Sequence, residues 1–248
     1  MARAALPGGL TWQLGTVVEL VRETERVRSI VLELPEWPGH RAGQHVDVRL
    51  TAEDGYEAQR SYSIASAPED AMVVLTVERL EDGEVSSYLT DELRSGDELE
   101  LRGPIGGYFV WDASEPGPVL LVAGGSGIVP FRAMLRHRRA TNSDAPVRLL
   151  YSVRSQEEII YGRELMDLSG DEGVDIRYTL TRTSPPGWSG YSGRIDRRLI
   201  EEVSWPAAEE PLNLVCGPSG FVETAAGVLA EAGNPQRRVR TERFGPTG

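Results

Sequence analysis

A chain of 248 residues, 40% of them hydrophobic, can bury the cores of one large or two modest domains. A net charge of −12 argues against nucleic acid as a partner, and no apolar run approaches the length of a membrane span. The single cysteine, Cys216, permits neither an internal disulfide nor an iron-sulfur cluster held by the chain itself. The N-terminus shows no secretory pattern, so the expected compartment is the cytoplasm, and no metal site is read from the residues.

In chain order, short β-rich runs at 14–21, 29–34, 45–50, 60–65, 72–79 and 98–102 are separated by turn residues, and a helical segment at 85–93 interrupts them. Regular short strands with turn signals predict a closed antiparallel barrel. Within the fourth run, Arg60 and Tyr62 share one face while Ser63 points to the other. An arginine suits a phosphate, an aromatic ring packs on a flavin or ribose, and a small hydroxyl bonds a ring nitrogen without crowding it. The plain alternative is an ordinary barrel strand with a solvated arginine.

The Pro/Gly-rich stretch at 112–118 divides two unlike halves, with the domains expected at 1–113 and 114–248. The second half alternates: strand 119–123, helix 131–139, strand 147–153, helix 157–168, strand 175–181, helix 197–203, strand 212–216, helix 220–232. This predicts a doubly wound, mostly parallel α/β sheet. Its first loop, Gly124-Gly125-Ser126-Gly127-Ile128-Val129-Pro130, lets backbone approach a ligand, and Pro130 suits the first turn of a helix whose free N–H groups attract phosphate. A purely structural turn is the alternative. The second strand ends Tyr151-Ser152-Val153-Arg154, where an NAD site more often carries an acid. Arg154, with Arg182 beyond the third strand, offers guanidinium forks to a 2′-phosphate, a lean toward NADPH over NADH.

All 26 basic residues are arginine. Arg136, Arg138 and Arg139, and Arg237, Arg238, Arg240 and Arg243, form local clusters that read as a solvated helix face and a solvated tail, with a docking site for an acidic electron carrier as the alternative.

Three motifs, Arg60-Ser61-Tyr62-Ser63-Ile64-Ala65-Ser66, Gly124 to Pro130, and Cys216-Gly217-Pro218-Ser219-Gly220-Phe221, together resemble the ferredoxin-NADP reductase family, over nearly the whole chain from about Trp12 to Phe244. The resemblance implies an antiparallel FAD-binding β-barrel followed by a parallel-sheet NAD(P)-binding domain. It assigns flavin contacts to the first motif and to Val77-Glu78-Arg79 and Gly83-Glu84-Val85-Ser86-Ser87, whose serines are also plain helix N-caps. A pyrophosphate-binding helix there implies FAD more than FMN. The loop from Gly103 to Phe109 is read as structural. Ser63 and Cys216 would lie at the hydride-transfer locus, Cys216 as an orienting group and not a nucleophile. Glu223 is a candidate to bond the carboxamide or stabilise charge; a first-turn glutamate also simply complements the helix dipole. Phe244 stands where the family has a C-terminal aromatic, and either shields the flavin or packs the domain seam.

The implied function is hydride transfer from NAD(P)H to FAD, then single electrons to an acceptor. With no iron-sulfur domain attached, that acceptor would be a separate ferredoxin or oxygenase component. Reduction of free flavin or quinone, or a flavoprotein electron-transfer subunit of a larger complex, are the alternatives.

Overall fold

The computed structural model describes residues 10–245. The first nine residues, part of the stretch read as lacking a secretory pattern, and the last three lie outside them. Six antiparallel strands, β1 (Trp12–Arg22), β2 (Val27–Glu33), β3 (His45–Thr51), β4 (Glu57–Ser63), β5 (Val73–Glu78) and β6 (Glu98–Ile105), pair in the order β4-β3-β6-β1-β2-β5. Just past β4, Ile64 bridges antiparallel to Leu75 of β5, so the two edge strands meet and the sheet closes as a barrel. Alternate residues turn inward: Val46 and Val48, Ile30 and Leu32, Leu75 and Val77 share one buried cluster. The helical segment is a short α-turn, α1 (Glu84–Ser87), that continues into a wider π-turn at Tyr88–Glu92.

The second sheet is parallel throughout, with β7 (Val119–Gly124), β8 (Val147–Val153), β9 (Val174–Leu180), β10 (Tyr191–Ser192), β11 (Leu212–Pro218) and β12 (Val239–Phe244) in the order β10-β9-β8-β7-β11-β12. Period-two alternation splits its central strands between two cores. Leu121, Ala123, Leu149, Tyr151 and Cys216 face a cluster with α2 (Val129–Ala140) and α3 (Gly162–Leu168). Leu120, Val122, Leu150 and Val215 face the other, with α4 (Arg197–Val203) and α5 (Ser219–Glu231). Helices on both faces make the sheet doubly wound. The first cluster also takes in Val27, Ala42 and Ala65 of the barrel half, so the two halves share one apolar seam.

Besides the unexpected short edge strand β10, two elements depart from expectation. The helix expected over 157–168 begins only at Gly162: Gln156–Glu158 forms a 3-10 turn, and Tyr161 takes a left-handed conformation with φ 60°. Ile160 and Tyr161 are buried, and the Ile160 N–H meets the Tyr151 hydroxyl at 3.4 Å, so core packing overrides helical continuation. The other departure is β12, read from the sequence as a solvated tail. Its run Val-Arg-Thr-Glu-Arg-Phe carries too much charge to signal a strand, yet it pairs with β11 from Asn213↔Val239 to Pro218↔Phe244.

Candidate active site

The sheet reverses its winding between β7 and β11, and a cleft of about 380 Å3 opens at the carboxyl ends of these strands. Gly124, Gly125 and Ser126 after β7, Ser152 and Arg154 after β8, and Pro218 after β11 all line it. Gly125 sits at φ +56° with open space where a side chain would project, a backbone cradle that suits close approach of a phosphate. Pro130 falls in the first turn of α2, as its fixed φ favours. Ile128 and Gly127 are buried and shape the loop from below. Phe221 packs against Gly124 and Gly217, where a β-carbon would stand within about 3 Å of its ring. The flat apolar wall is completed by Phe244, which pairs in register with Pro218.

The barrel side meets this cleft through Arg26, Val27 and Glu78. On β4, Tyr62 is half-buried and packs on the barrel core, and burial pushes its phenol up to about 12. Arg60 is exposed; its guanidinium bonds the neighbouring Gln59 carbonyl and has no carboxylate partner among the described residues. Ser61 donates to Asp47 at 2.7 Å. Val77 and Val85 point into the barrel core, so only their backbone is free to meet a ligand. The Ser86 hydroxyl is engaged with Leu80 N–H and Gly83 C=O, Ser87 donates weakly to Leu80 C=O, and Arg79 is paired with Asp91.

Where barrel and sheet meet, Ser63, Cys216 and Glu242 come together. Ser63 Oγ lies 3.4 Å from Glu242 Oε2, and Cys216 Sγ lies 3.9 Å from the same oxygen. Burial pushes the Glu242 carboxyl up to about 7, although both neighbours donate toward it. Burial, reinforced by Glu242, raises the Cys216 thiol well above its ordinary range, so the residue is no ready thiolate and fits an orienting role. Sequence reading missed Glu242. The signal available was its place two residues before Phe244, but without the β11–β12 pairing nothing put it opposite Cys216. Glu223, by contrast, is exposed on α5 and does not line the cleft.

The basic clusters are mostly paired with carboxylates or carbonyls, although Arg139 and Arg237 remain exposed. Arg136 binds Asp70 and Glu164, Arg139 binds Asp167 and Asp171, and Arg138 is 4% exposed with hydrogen bonds to the Ala145 and Glu172 carbonyls. Near the C-terminus, Arg237 and Arg238 hold Glu210 and Arg240 holds the Val110 carbonyl, while Arg243 stays exposed. Arg154 and Arg182 are both exposed, with no carboxylate partner among the described residues, and the Arg182 N–H meets the Arg154 carbonyl at 2.9 Å. Glu157 and Glu158 line the cleft beside them.

A glycine-lined cradle, flat aromatic walls and the exposed Arg154 guanidinium fit a dinucleotide laid across the carboxyl edge. Two domain families match in series: the oxidoreductase FAD-binding domain over residues 15–110 and the oxidoreductase NAD-binding domain over residues 121–227. Ferredoxin-NADP reductase B of Sorangium cellulosum is 36% identical over 210 residues, covering 82% of this chain and 84% of that protein. The chain belongs to the ferredoxin-NADP reductase family. Within this family, the glycine betaine monooxygenase reductase subunit of Pseudomonas aeruginosa is 30% identical over 246 residues, 96% of this chain, and the chain spans 66% of its length. Among solved structures, the FAD/NAD-binding domain of nitric oxide dioxygenase from Vibrio cholerae superposes with a TM-score of 0.84 at 26% identity, covering 94% of this chain and 99% of that one. As in this family of oxidoreductases, the cofactors are FAD and a nicotinamide dinucleotide.

Proposed function

We propose that the chain takes hydride from NADPH onto bound FAD and hands electrons singly to a separate ferredoxin or oxygenase component, in the cytoplasm. The observation that carries this is the meeting of Ser63, Cys216 and Glu242 where the barrel abuts the parallel sheet, whose carboxyl edge carries a glycine-lined cleft. When bound, the flavin supplies the change from two-electron to one-electron chemistry. The protein's share is placement: Arg60 for a phosphate, Tyr62 and Phe244 as stacking surfaces, Ser63 as a small donor, Cys216 as a neutral neighbour that sets how close a nicotinamide sits. Glu242, its carboxyl raised to about 7, is partly protonated near neutral pH, and its Oε2 accepts from the Ser63 hydroxyl. We set the boundary between the domains at 113/114. Among the described residues no helix is long and apolar enough to cross a membrane, and the lone Cys216 suits a reducing compartment.

The purified protein should carry FAD at one per chain, and anaerobic NADPH should bleach it. Ferricyanide should then sustain turnover, whereas free flavin should not. Cys216→Ala should slow the bleaching while leaving FAD content and stability nearly intact, as expected of an orienting group. Extraction of FMN alone, or turnover sustained by free flavin or quinone, would replace this reading.

Cofactor choice gives a separate test. Arg154 lines the cleft without a carboxylate partner, and a charge-assisted hydrogen bond to a 2′-phosphate is worth about 1.5–3 kcal/mol. Arg154→Ala should raise the KM for NADPH roughly tenfold or more and leave that for NADH nearly unchanged. A wild-type kcat/KM that favours NADH would instead mean that Glu157 and Glu158 dominate this end of the cleft.

A further inference from the structure

A set of ion-paired side chains bridges the two halves away from the cleft. Arg136 of α2 grips the Asp70 carboxylate with two bonds, from Nε at 3.0 Å and Nη2 at 2.7 Å, and gives a third from Nη1 to Glu164 of α3 at 2.7 Å. One helical turn earlier, Arg132 binds the other oxygen of Glu164 at 2.7 Å, covers the Tyr161 ring at 4.7 Å, and donates to the Ala65 carbonyl at 3.2 Å. Beside them His137 accepts the Ala113 N–H at Nε2, 3.2 Å away. In the neutral ring the proton therefore sits on Nδ1, which donates to Glu69 at 2.8 Å.

The position of the bridge along the chain gives it meaning. Ala65 lies two residues beyond Ser63, where the flavin strand ends, and Glu69 and Asp70 follow in the same loop. Arg132 lies two residues beyond Pro130, where the dinucleotide loop enters α2. Each side of the bridge is thus attached directly to a ligand-contacting segment. Much of the rest of the seam, with Val27, Ala42 and Ala65 in one cluster with Phe131, Met134 and Tyr161, is apolar. Apolar burial resists separation but has no direction, so it leaves sliding and rotation cheap. Guanidinium forks are directional. The four bridging side chains are 15–34% exposed, against 47–54% for the surface pair Arg197–Glu201, so salt and water screen them less. Burial alone would raise the Asp70 carboxyl; bonds from Arg136 and the Ala67 N–H outweigh it and hold the group below its usual range.

We propose that the Asp70–Arg136–Glu164–Arg132 bridge is a positioning device that sets the angle between the barrel and the parallel sheet, and with it the approach of nicotinamide to flavin. The catalytic half of this inference rests on the hydride-transfer reading above. The cost of losing it follows from geometry, since a misplacement of about 1 Å between reacting groups can slow a reaction roughly 100-fold.

The test uses the FAD-loaded protein with Asp70→Asn, Arg136→Met, the double variant, and Glu164→Gln as a milder lesion should the others fold poorly. At saturating NADPH or NADH, whichever the wild type uses faster, the limiting rate of flavin reduction should fall about tenfold or more in each single variant. KM should move within about twofold and FAD content should hold, because no ligand contact is removed. The double variant should be no slower than the slower single one, since both lose the same contact. The long-wavelength absorbance of stacked nicotinamide and reduced flavin should weaken in parallel. Amide exchange should rise in residues 64–71 and at the start of α2, with the barrel strands unchanged. Wild-type reduction rates in variants that are merely less stable, or unchanged exchange at both anchors, would overturn the proposal. A wild type that neither cofactor reduces would overturn the hydride reading instead, and the exchange arm would still decide whether the bridge holds the halves together.

Discussion

Glu242→Gln is expected to make the protein more stable, and its flavin reduction faster, at pH 8. The wild-type carboxyl is raised from 4.5 to about 7 by burial, so the folded state keeps a proton that the unfolded state has lost. A raised carboxyl contributes full stability below about pH 4.5, loses it as pH climbs to about 7, and changes little beyond. A difference of this size corresponds to at most about 3 kcal/mol. Glutamine cannot ionise and still offers Ser63 an acceptor, so the variant should match the wild type near pH 4.5 and exceed it in Tm at pH 8. The kinetic consequence has the same sign. Among the described residues only the Ser63 hydroxyl and the Cys216 thiol bond this carboxyl, so its own charge dominates the spot where the proposed transfer would bring electrons. Ionised Glu242 opposes incoming negative charge, and wild-type flavin reduction should fall as pH rises through about 7. Glutamine is neutral at every pH, so the variant should lose that inflection, run close to the wild type at pH 6 and exceed it at pH 8. An inflection that survives the substitution would assign it to another residue.

Gly127→Ala is expected to cost the fold about 3 kcal/mol or more and to lower Tm by roughly 6 °C or more. A β-carbon at this position would stand 2.2 Å from the Cys216 carbonyl oxygen and 2.6 Å from its carbon. Both are backbone atoms of β11, which is hydrogen-bonded on each side to β7 and β12 and cannot yield cheaply. The loop would have to rise, taking the dinucleotide cradle with it, so the affinity for NADPH should fall along with stability. Gly227→Ala is the internal control. It lies inside α5 with nothing near its would-be β-carbon, and should stabilise by up to about 1 kcal/mol through helix propensity alone. Equal melting curves for Gly127→Ala and wild type would show that the loop floats free of β11.

Much of the site was readable one segment at a time. The loop from Gly124 to Pro130, the edge residues Ser152 and Arg154, and the turn after Cys216 all lie at strand ends that local patterning places at one rim of a doubly wound sheet. The break between helices at Ile160 and Tyr161 was not readable, because helix propensity there loses to burial of two side chains in a core shared with α2. Nor was the pairing of the α2 arginines: a run of Arg136, Arg138 and Arg139 on one short helix looks like free positive charge until the acids of a distant loop and of α3 are brought against it. Glu223 shows the converse, a residue next to a diagnostic motif that falls beyond the first turn of α5 and faces solvent.

By itself the sequence determined the two-part architecture and the strand-end loops, because strand alternation, helical periodicity and glycine-proline turn chemistry act over a few residues. Tertiary structure alone decided how Glu242 is held, since β12 must first pair with β11 and bring that carboxyl under Ser63, a residue 179 positions away in the chain. Its proton affinity follows from exclusion of water at the seam, a property of the packed whole and not of any segment. The same holds for the angle between the halves, which depends on Asp70, Arg136 and Glu164 meeting across three separate elements.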